Sequence, residues 1–236
     1  MNKSAIVICS GGLDSTVLAW HYASLNYSLT LLGFNYGQRH RKELDNISKT
    51  ATVLDCNYHI LDLTSLSGLL HGSSLTSESI TVPDGHYAED TMKATIVPNR
   101  NAIMLSIATG MAVADKVNVL ATGVHAGDHF IYPDCRPEFF YTFSAAMRLA
   151  NEGDVNELLL EAPFISWTKS DIVKYGNKLG VDFTQTWSCY KGGDKHCGKC
   201  GTCIERIEAF QISGVHDPTE YYDTSFALNT LAALYV

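Results

Sequence analysis

An apolar run of five residues, Ala5-Ile6-Val7-Ile8-Cys9, passes directly into Ser10-Gly11-Gly12-Leu13-Asp14-Ser15-Thr16. The run reads as a strand buried on both faces. The glycines then turn the chain into a helix from about Asp14 to Leu25, with Leu18 and Tyr22 on one face. A strand of this kind needs helices above and below it, which points to a parallel α/β sheet. The chain downstream agrees: a strand over Leu29–Asn35, a polar helix from about Gln38 to Leu54, and a strand over His59–Leu63. Strand and helix alternate as right-handed βαβ units require.

The rhythm stops at Thr64. Half of the residues from Thr64 to Thr81 are Ser or Thr, and no periodicity returns before Pro98. Segment 64–98 is therefore expected to be a lid or a dimer loop. Asn99 is placed to cap a helix running to about Asp115. Val117–Thr122 reads as a fourth strand, Glu138–Ala150 as a helix, Leu158–Leu160 as a fifth strand and Thr168–Leu179 as a helix. The expected fold is α/β, a Rossmann-like open, mostly parallel sheet with helices on both faces. Residues 1–186 would form it, with 187–236 a small cysteine-bearing element packed on the same domain.

Charge narrows the partners. Lys and Arg total 17 against 25 acidic residues, a net charge of -8. Affinity for a polynucleotide rests on cations neutralising phosphates, and the one dense basic run, Arg39-His40-Arg41-Lys42, is short. No direct polynucleotide binding is expected. No apolar run reaches the ~18–20 residues that cross a bilayer, and no cleavage site follows residues 1–9. A cytoplasmic chain without a membrane partner is expected. Seven cysteines, an odd number, argue against a disulfide framework.

The glycine-rich string can hold an anion. Adjacent glycines permit close backbone approach, and the helix behind them offers free N–H groups and the positive end of its dipole. Ser10, Ser15 and Thr16 add hydroxyls. The string lacks the Lys of a Walker A loop and the spacing of a dinucleotide fingerprint. A plain tight turn with a capped helix is the competing reading.

Cys189, Cys197, Cys200 and Cys203 are spaced C-x7-C-x2-C-x2-C among Gly192, Gly193, Gly198 and Gly201. Four thiolates make a closed tetrahedral site suited to structural zinc. Lys191, Lys195, Lys199 and Arg206 stand near in sequence to offset the charge. An iron–sulfur cluster, a site with His196 replacing one thiolate, and unliganded thiols are the alternatives. Cys9, Cys56 and Cys135 read as buried thiols.

Ser-Gly-Gly-x-Asp-Ser after a first strand resembles the PP-loop of the ATP pyrophosphatases. Four further strings follow strands or open helices: Asn35-Tyr36-Gly37-Gln38-Arg39-His40, Val97-Pro98-Asn99-Arg100-Asn101, Thr122-Gly123-Val124-His125 and Tyr132-Pro133-Asp134-Cys135-Arg136-Pro137-Glu138-Phe139. With the cysteine spacing, they resemble the 7-cyano-7-deazaguanine synthase (QueC) family from about Ile6 to Arg206. Leu13 stands where many members carry Gln. The string His125-Ala126-Gly127-Asp128-His129 differs from their common Cys-Glu-Thr-Asp form.

The resemblance implies a homodimeric ligase that joins 7-carboxy-7-deazaguanine and ammonia, using ATP and Mg²⁺, to give the nitrile preQ0. Adenylated carboxylate and adenylated amide would be the intermediates. It places the triphosphate on Ser10, Gly11, Gly12, Leu13, Asp14, Ser15 and Thr16, with Mg²⁺ near Asp14. Adenine would lie against Phe34, Asn35 and Tyr36, with Gly123 nearby. Arg100 and Arg136 would take the substrate carboxylate. Gln38, Arg39, Asp128, Tyr132 and Asp134 would line the substrate pocket, and Lys169 would neutralise the departing pyrophosphate. A glutamine-hydrolysing domain does not fit in this length, so ammonia arrives free or from another protein. Competing readings are a tRNA-thiolating or other amide-forming PP-loop enzyme, a non-catalytic ATP sensor, and a zinc-ribbon nucleic-acid binder.

Overall fold

The computed structural model describes residues 3–87, 90–151 and 158–234. Strands β1 (Ser4–Ile8), β2 (Ser28–Asn35), β3 (Asn57–Asp62), β4 (Val119–Ala121) and β5 (Leu159–Glu161) form one sheet in the order β3-β2-β1-β4-β5. Every pairing is parallel. Helices α1 (Leu13–Ser24), α2 (Lys42–Val53), α3 (Arg100–Ala114), α4 (Pro137–Ala150), α5 (Lys169–Leu179), α6 (Gly201–Ser213) and α7 (Ser225–Leu234) complete the described fold.

Successive residues of β1 face opposite layers, as the pleat demands. Ala5 and Val7 pack with buried residues of α1, α2, α5 and α6, among them Val17, Ile47, Ile172 and Phe210. Ile6 points the other way, onto Met104, Ala108 and Ala112 of α3. Small residues on α3 let it lie close to the sheet. Helices therefore cover both faces.

The chain moves outward from β1 through β2 to β3, then returns to place β4 on the other side of β1. That reversal opens a crevice beyond the carboxyl ends of β1 and β4, where open α/β sheets bind ligands. Its position follows from topology alone.

Segment 64–98, of which residues 88–89 fall outside the described residues, carries two short 3₁₀ turns, Thr64–Leu66 and Asp90–Thr95. Leu75, Val82, Met92 and Val97 are buried. Arg39 donates to the Ser77 and Ile80 carbonyls, and Gly85 N–H donates to Lys199 O at 3.1 Å. The segment is thus sewn to both α2's approach and the cysteine-rich element.

Arg206 of α6 is fully buried. Its guanidinium donates to Asp217 (3.3 Å), Thr186 Oγ1 (2.8 Å), Ser188 Oγ (3.2 Å) and Phe183 O (3.1 Å). This corrects the expectation that Arg206 offsets thiolate charge: its donors are committed to fixing the chain after α5. Removing one partner of a buried, hydrogen-bonded ion pair costs about 3–5 kcal/mol. Arg206→Ala should lower urea-unfolding stability by about that amount. Val53→Ala, at a 55% exposed site, should stay within about 0.5 kcal/mol. Equal effects would contradict the role given to Arg206.

Candidate active site and cysteine knuckle

The turn after β1 is built for an anion. Gly11 has φ +83°, and a Cβ there would sit 1.8 Å from the Glu43 carbonyl oxygen, so only glycine lets the loop meet α2. Gly12 is the extended N-cap of α1, and no side chain caps that helix. The first helical bond runs from Thr16 N–H to Gly12 O at 3.1 Å. The N–H groups before it lack helical partners and stand at the positive end of α1. Ser10 and Ser15 brace the loop: Gly12 N–H donates to Ser10 Oγ (3.1 Å), and Ser10 N–H donates to Ser15 Oγ (3.2 Å). Thr16 is buried behind the loop.

A charged cluster closes one side. Lys169 Nζ lies 3.2 Å from Asp14 Oδ2 and 2.7 Å from Glu205 Oε2. His125 Nε2 stands 3.8 Å from Asp14 and 3.7 Å from Asp128. Thr168 caps α5 by accepting from Asp171 N–H, which fixes the start from which Lys169 extends. Burial alone would raise the Asp14 carboxyl, but Lys169 and His125 outweigh it and hold the group below the ordinary carboxylate range. Burial would lower the Lys169 ammonium; Asp14 and Glu205 reverse that and hold it above the usual lysine range. The second Asp14 oxygen, Oδ1, is buried and has no partner among the described residues.

The cleft has another cation. Arg100, the first residue of α3, donates to Tyr36 Oη at 3.3 Å. Its guanidinium carbon lies 5.8 and 5.7 Å from the Tyr36 and Tyr132 ring centroids. Tyr132 Oη bonds Thr95 Oγ1 (2.8 Å) and Tyr190 Oη (3.2 Å). Arg100 thus faces aromatic hydroxyls and the Cys135 thiol. Cys9 and Cys135 also line the cleft. Burial pushes the Cys9 thiol up to about 11 and raises Cys135 well above its ordinary value.

Of the residues singled out in the sequence, Ser10, Gly12, Leu13, Asp14, Ser15, Phe34, Tyr36, Arg100, Gly123, Asp128, Tyr132 and Lys169 line this one cleft. The others stand back from it. Asn35 Oδ1 accepts from Gly37 N–H at 3.2 Å. Gln38 is buried, donating to Phe34 O and accepting from Tyr36 N–H, which pins the end of β2. Asp134 accepts from Asn101 N–H (2.9 Å) and Asn101 Nδ2 (3.3 Å). It caps α3 from outside, a task expected of Asn99, which instead turns left-handed at φ 58° and makes no side-chain cap bond. Arg136 is exposed and donates to His129 O at 2.9 Å.

Tyr87, Trp187, Ser188 and Tyr190 also line the cleft, and Glu205 reaches it through Lys169. No motif flagged them, because each arrives from a distant segment. Trp187 N–H donates to Gly11 O at 3.1 Å, so the chain leading to the cysteines is fastened to the phosphate loop.

The four expected cysteines converge, with all sulfurs within 4.8 Å of one another. Cys197–Cys203 and Cys200–Cys203 are 3.8 and 3.5 Å apart, against an edge of ~3.8 Å for a tetrahedron of 2.3 Å metal–sulfur bonds. The donor set and spacing fit a closed thiolate metal site. Backbone N–H groups of Cys197, Lys199 and Cys200 donate to the sulfurs at 3.3–3.4 Å. Lys195 pairs instead with Glu220 at 3.1 Å. His196 stands apart: its Nε2 accepts from Ser188 N–H at 3.0 Å and its ring lies 4.2 Å from Trp187.

The sheet order, the uncapped helix behind a Ser-Gly-Gly turn and the four-cysteine knuckle define a PP-loop, adenine-nucleotide α-hydrolase-like protein. A family model described as Queuosine biosynthesis protein QueC matches residues 4–214. The chain belongs to the QueC family. It is 55% identical over 221 residues to the 7-cyano-7-deazaguanine synthase of Rhizobium johnstonii, covering 94% of this chain and 93% of that protein. The synthase of Brucella anthropi is 54% identical, with 94% of each chain covered. Among solved structures, NMN synthetase from Francisella tularensis superposes with TM-score 0.50 at 14% identity, over 98% of this chain and 83% of that one. The U34-tRNA thiolase NcsA from Methanococcus maripaludis, solved with its 4Fe-4S cluster, gives TM-score 0.50 at 15% identity over 91% and 66%. At such identities these two share the fold.

A carboxyl held low in the folded state contributes stability that is present above its unfolded value, near 3.9, and lost as pH falls through the folded one. Asp14→Asn should flatten the acid limb of the stability profile below about pH 4 and leave the slope near neutrality alone. An unchanged acid limb would contradict the Asp14–Lys169 pair.

Proposed function

We propose that this chain makes 7-cyano-7-deazaguanine from 7-carboxy-7-deazaguanine and ammonia by two successive adenylations. One observation carries the reading: a single cleft is lined by two separate electropositive groups, the helix start of the phosphate loop with Lys169 and the tyrosine-framed Arg100. A triphosphate and a carboxylate are the two anions that an acid-activating enzyme must bring together. The synthases to which the chain is 53–55% identical carry that product in their names.

The residues divide the work as follows. The N–H groups at the start of α1, with Ser10 and Ser15, hold the phosphates. Phe34, Tyr36 and Gly123 flank the nucleoside beyond β2 and β4. Arg100 fixes the substrate carboxylate so that one oxygen attacks the α-phosphorus and pyrophosphate departs beside Lys169. Ammonia then displaces AMP from the acyl carbon. The resulting amide oxygen is adenylated in turn, and loss of the second AMP leaves the nitrile. Asp14 Oδ1 is the ligand we assign to Mg²⁺, which when bound would offset triphosphate charge. Asp128 and Tyr132 line the substrate side, while Gln38, Arg39 and Asp134 act by holding the surrounding chain in place.

A thiolating reading needs a reactive thiolate at the nucleotide. Cys9 and Cys135 are held protonated by burial, which favours the amide and nitrile chemistry. The net charge of -8 likewise favours a small-molecule substrate over a polynucleotide, in a cytoplasmic setting. We assign zinc to the knuckle. A homodimer is supported by α4, where Tyr141 and Leu149 are 62% and 74% exposed.

Substrate labelled with ¹⁸O at both carboxylate positions should pass its label to two AMP molecules per nitrile formed. Ser15→Ala should cut AMP formation by about 10²–10³, as for a lost oxyanion-type donor, and Asp14→Asn should cut it by weakening the assigned Mg²⁺ ligand. Label in inorganic phosphate, or a reaction that ends at the amide, would overturn the assignment.

Protein purified without added metal should contain one zinc per chain, and Cys200→Ser should lose it and loosen the chain beyond residue 186, since metal binding is coupled to folding. Iron with a visible absorption band, or full stability without metal, would refute it.

A further inference from the structure

Glu205 lies two residues past Cys203 on α6 and is 7% exposed. A carboxylate so buried is costly unless paired, and its partner is the Lys169 ammonium at 2.7 Å. The same ammonium stands 3.2 Å from Asp14. It is gripped from two sides, by carboxylates on α1 and α6, while its stem extends from the first residue of α5. Gly127 shows that the placement is built in. A Cβ at Gly127 would stand 2.9 Å from Glu205 Oε1 and 2.8 Å from His125 Cε1. The 126–130 turn omits a side chain just where Glu205 and His125 meet.

The geometry points to Glu205 as a positioning residue that fixes Lys169 Nζ beside the phosphate loop. With Glu205 in place, the ammonium is shared and Asp14 Oδ1 stays free. Without it, Asp14 is the remaining carboxylate within ion-pair reach, and a flexible four-carbon stem can settle onto it. Misplacement of a catalytic group by about 1 Å costs on the order of 10² in rate. The inference rests on the adenylation reading of the cleft, because it concerns what Lys169 does for departing pyrophosphate. The bland rival is a buried ion pair that only fastens α6 to α5.

Reach and charge separate the two. In the full chain, Glu205→Gln keeps the reach and an acceptor oxygen but removes the charge. Glu205→Asp keeps the charge one methylene short, and Glu205→Ala removes both. For each variant, kcat and KM for ATP are measured from AMP formation, together with thermal midpoint and metal content. Ala and Asp should lower kcat by about 10²-fold with KM for ATP changed far less and metal content kept, and Gln should recover about tenfold or more of the loss. Lower midpoints with wild-type kcat per folded chain in all three would overturn the inference. So would recovery by Asp where Gln fails. A wild-type chain that forms no AMP with substrate would instead overturn the adenylation reading, and this inference with it.

Discussion

The Lys169 ammonium joins the polar ends of three helices that lie far apart in sequence. Its ion pairs reach Asp14, on the phosphate loop's helix, and Glu205, on the helix that leaves the cysteine knuckle. Three charges in one place, Glu205 buried and Asp14 and Lys169 partly so, are tolerated because each has an opposite charge within reach. Helices α1, α5 and α6 are thereby locked in register on one face of the sheet, where their apolar residues share a core. The cluster does not replace that packing; it fixes where along the packed helices the polar ends come to rest.

The cysteine knuckle belongs to the cleft as much as to its own fold. Trp187 is bonded to Gly11, Gly85 to Lys199, and Tyr132 to Tyr190. Each bond runs from the cysteine-bearing segment to a different wall: the phosphate loop, the long segment after β3, and the turn before α4. Cys200 is the N-cap of α6 and Cys203 lies in its first turn. The direction of the helix that delivers Glu205 is therefore set at the four clustered cysteines. A closed thiolate metal site contributes through folding free energy, and with the metal proposed for this knuckle the part so stabilised would include a side of the cleft.

Local signals in the sequence were enough for the sheet and for the phosphate-loop side of the cleft. The apolar run of β1, the Gly-Gly turn and the cysteine spacing act over a few residues, so a linear reading finds them. The crevice follows as well, since it depends on strand order. What a linear reading misses is supplied by partners far along the chain. Asn99 is the residue a linear reading makes the cap of α3, but Asp134 takes that part, 33 residues beyond the Asn101 it binds, and is thereby committed to the start of the helix. Arg206 looked like a counter-charge for the thiolates, yet it is spent on the chain around Phe183 and Thr186. Glu205 and Tyr190 gave no signal, because a carboxylate on a helix and a tyrosine beside a cysteine are common. Their meaning lies in what they touch.

The tyrosine frame around Arg100 bears on how one site can serve two activations. In the proposed reaction the bound group changes from a carboxylate to a neutral amide between the first and second ATP. A guanidinium already paired with a protein carboxylate would bind the first poorly. One in a purely apolar pocket would gain little from the second. Arg100 has neither surrounding: it stacks near Tyr36 and Tyr132 and donates to the Tyr36 hydroxyl. Its remaining donors can meet the carboxylate in a bidentate fork, and the hydroxyls of Tyr36, Tyr132 and Tyr190 can each donate or accept. When the charge on the substrate disappears, the cation is left with aromatic faces, which attract it without a counter-ion. The amide can then stay in place while AMP and pyrophosphate leave beside Lys169 and a second nucleotide enters the same phosphate loop.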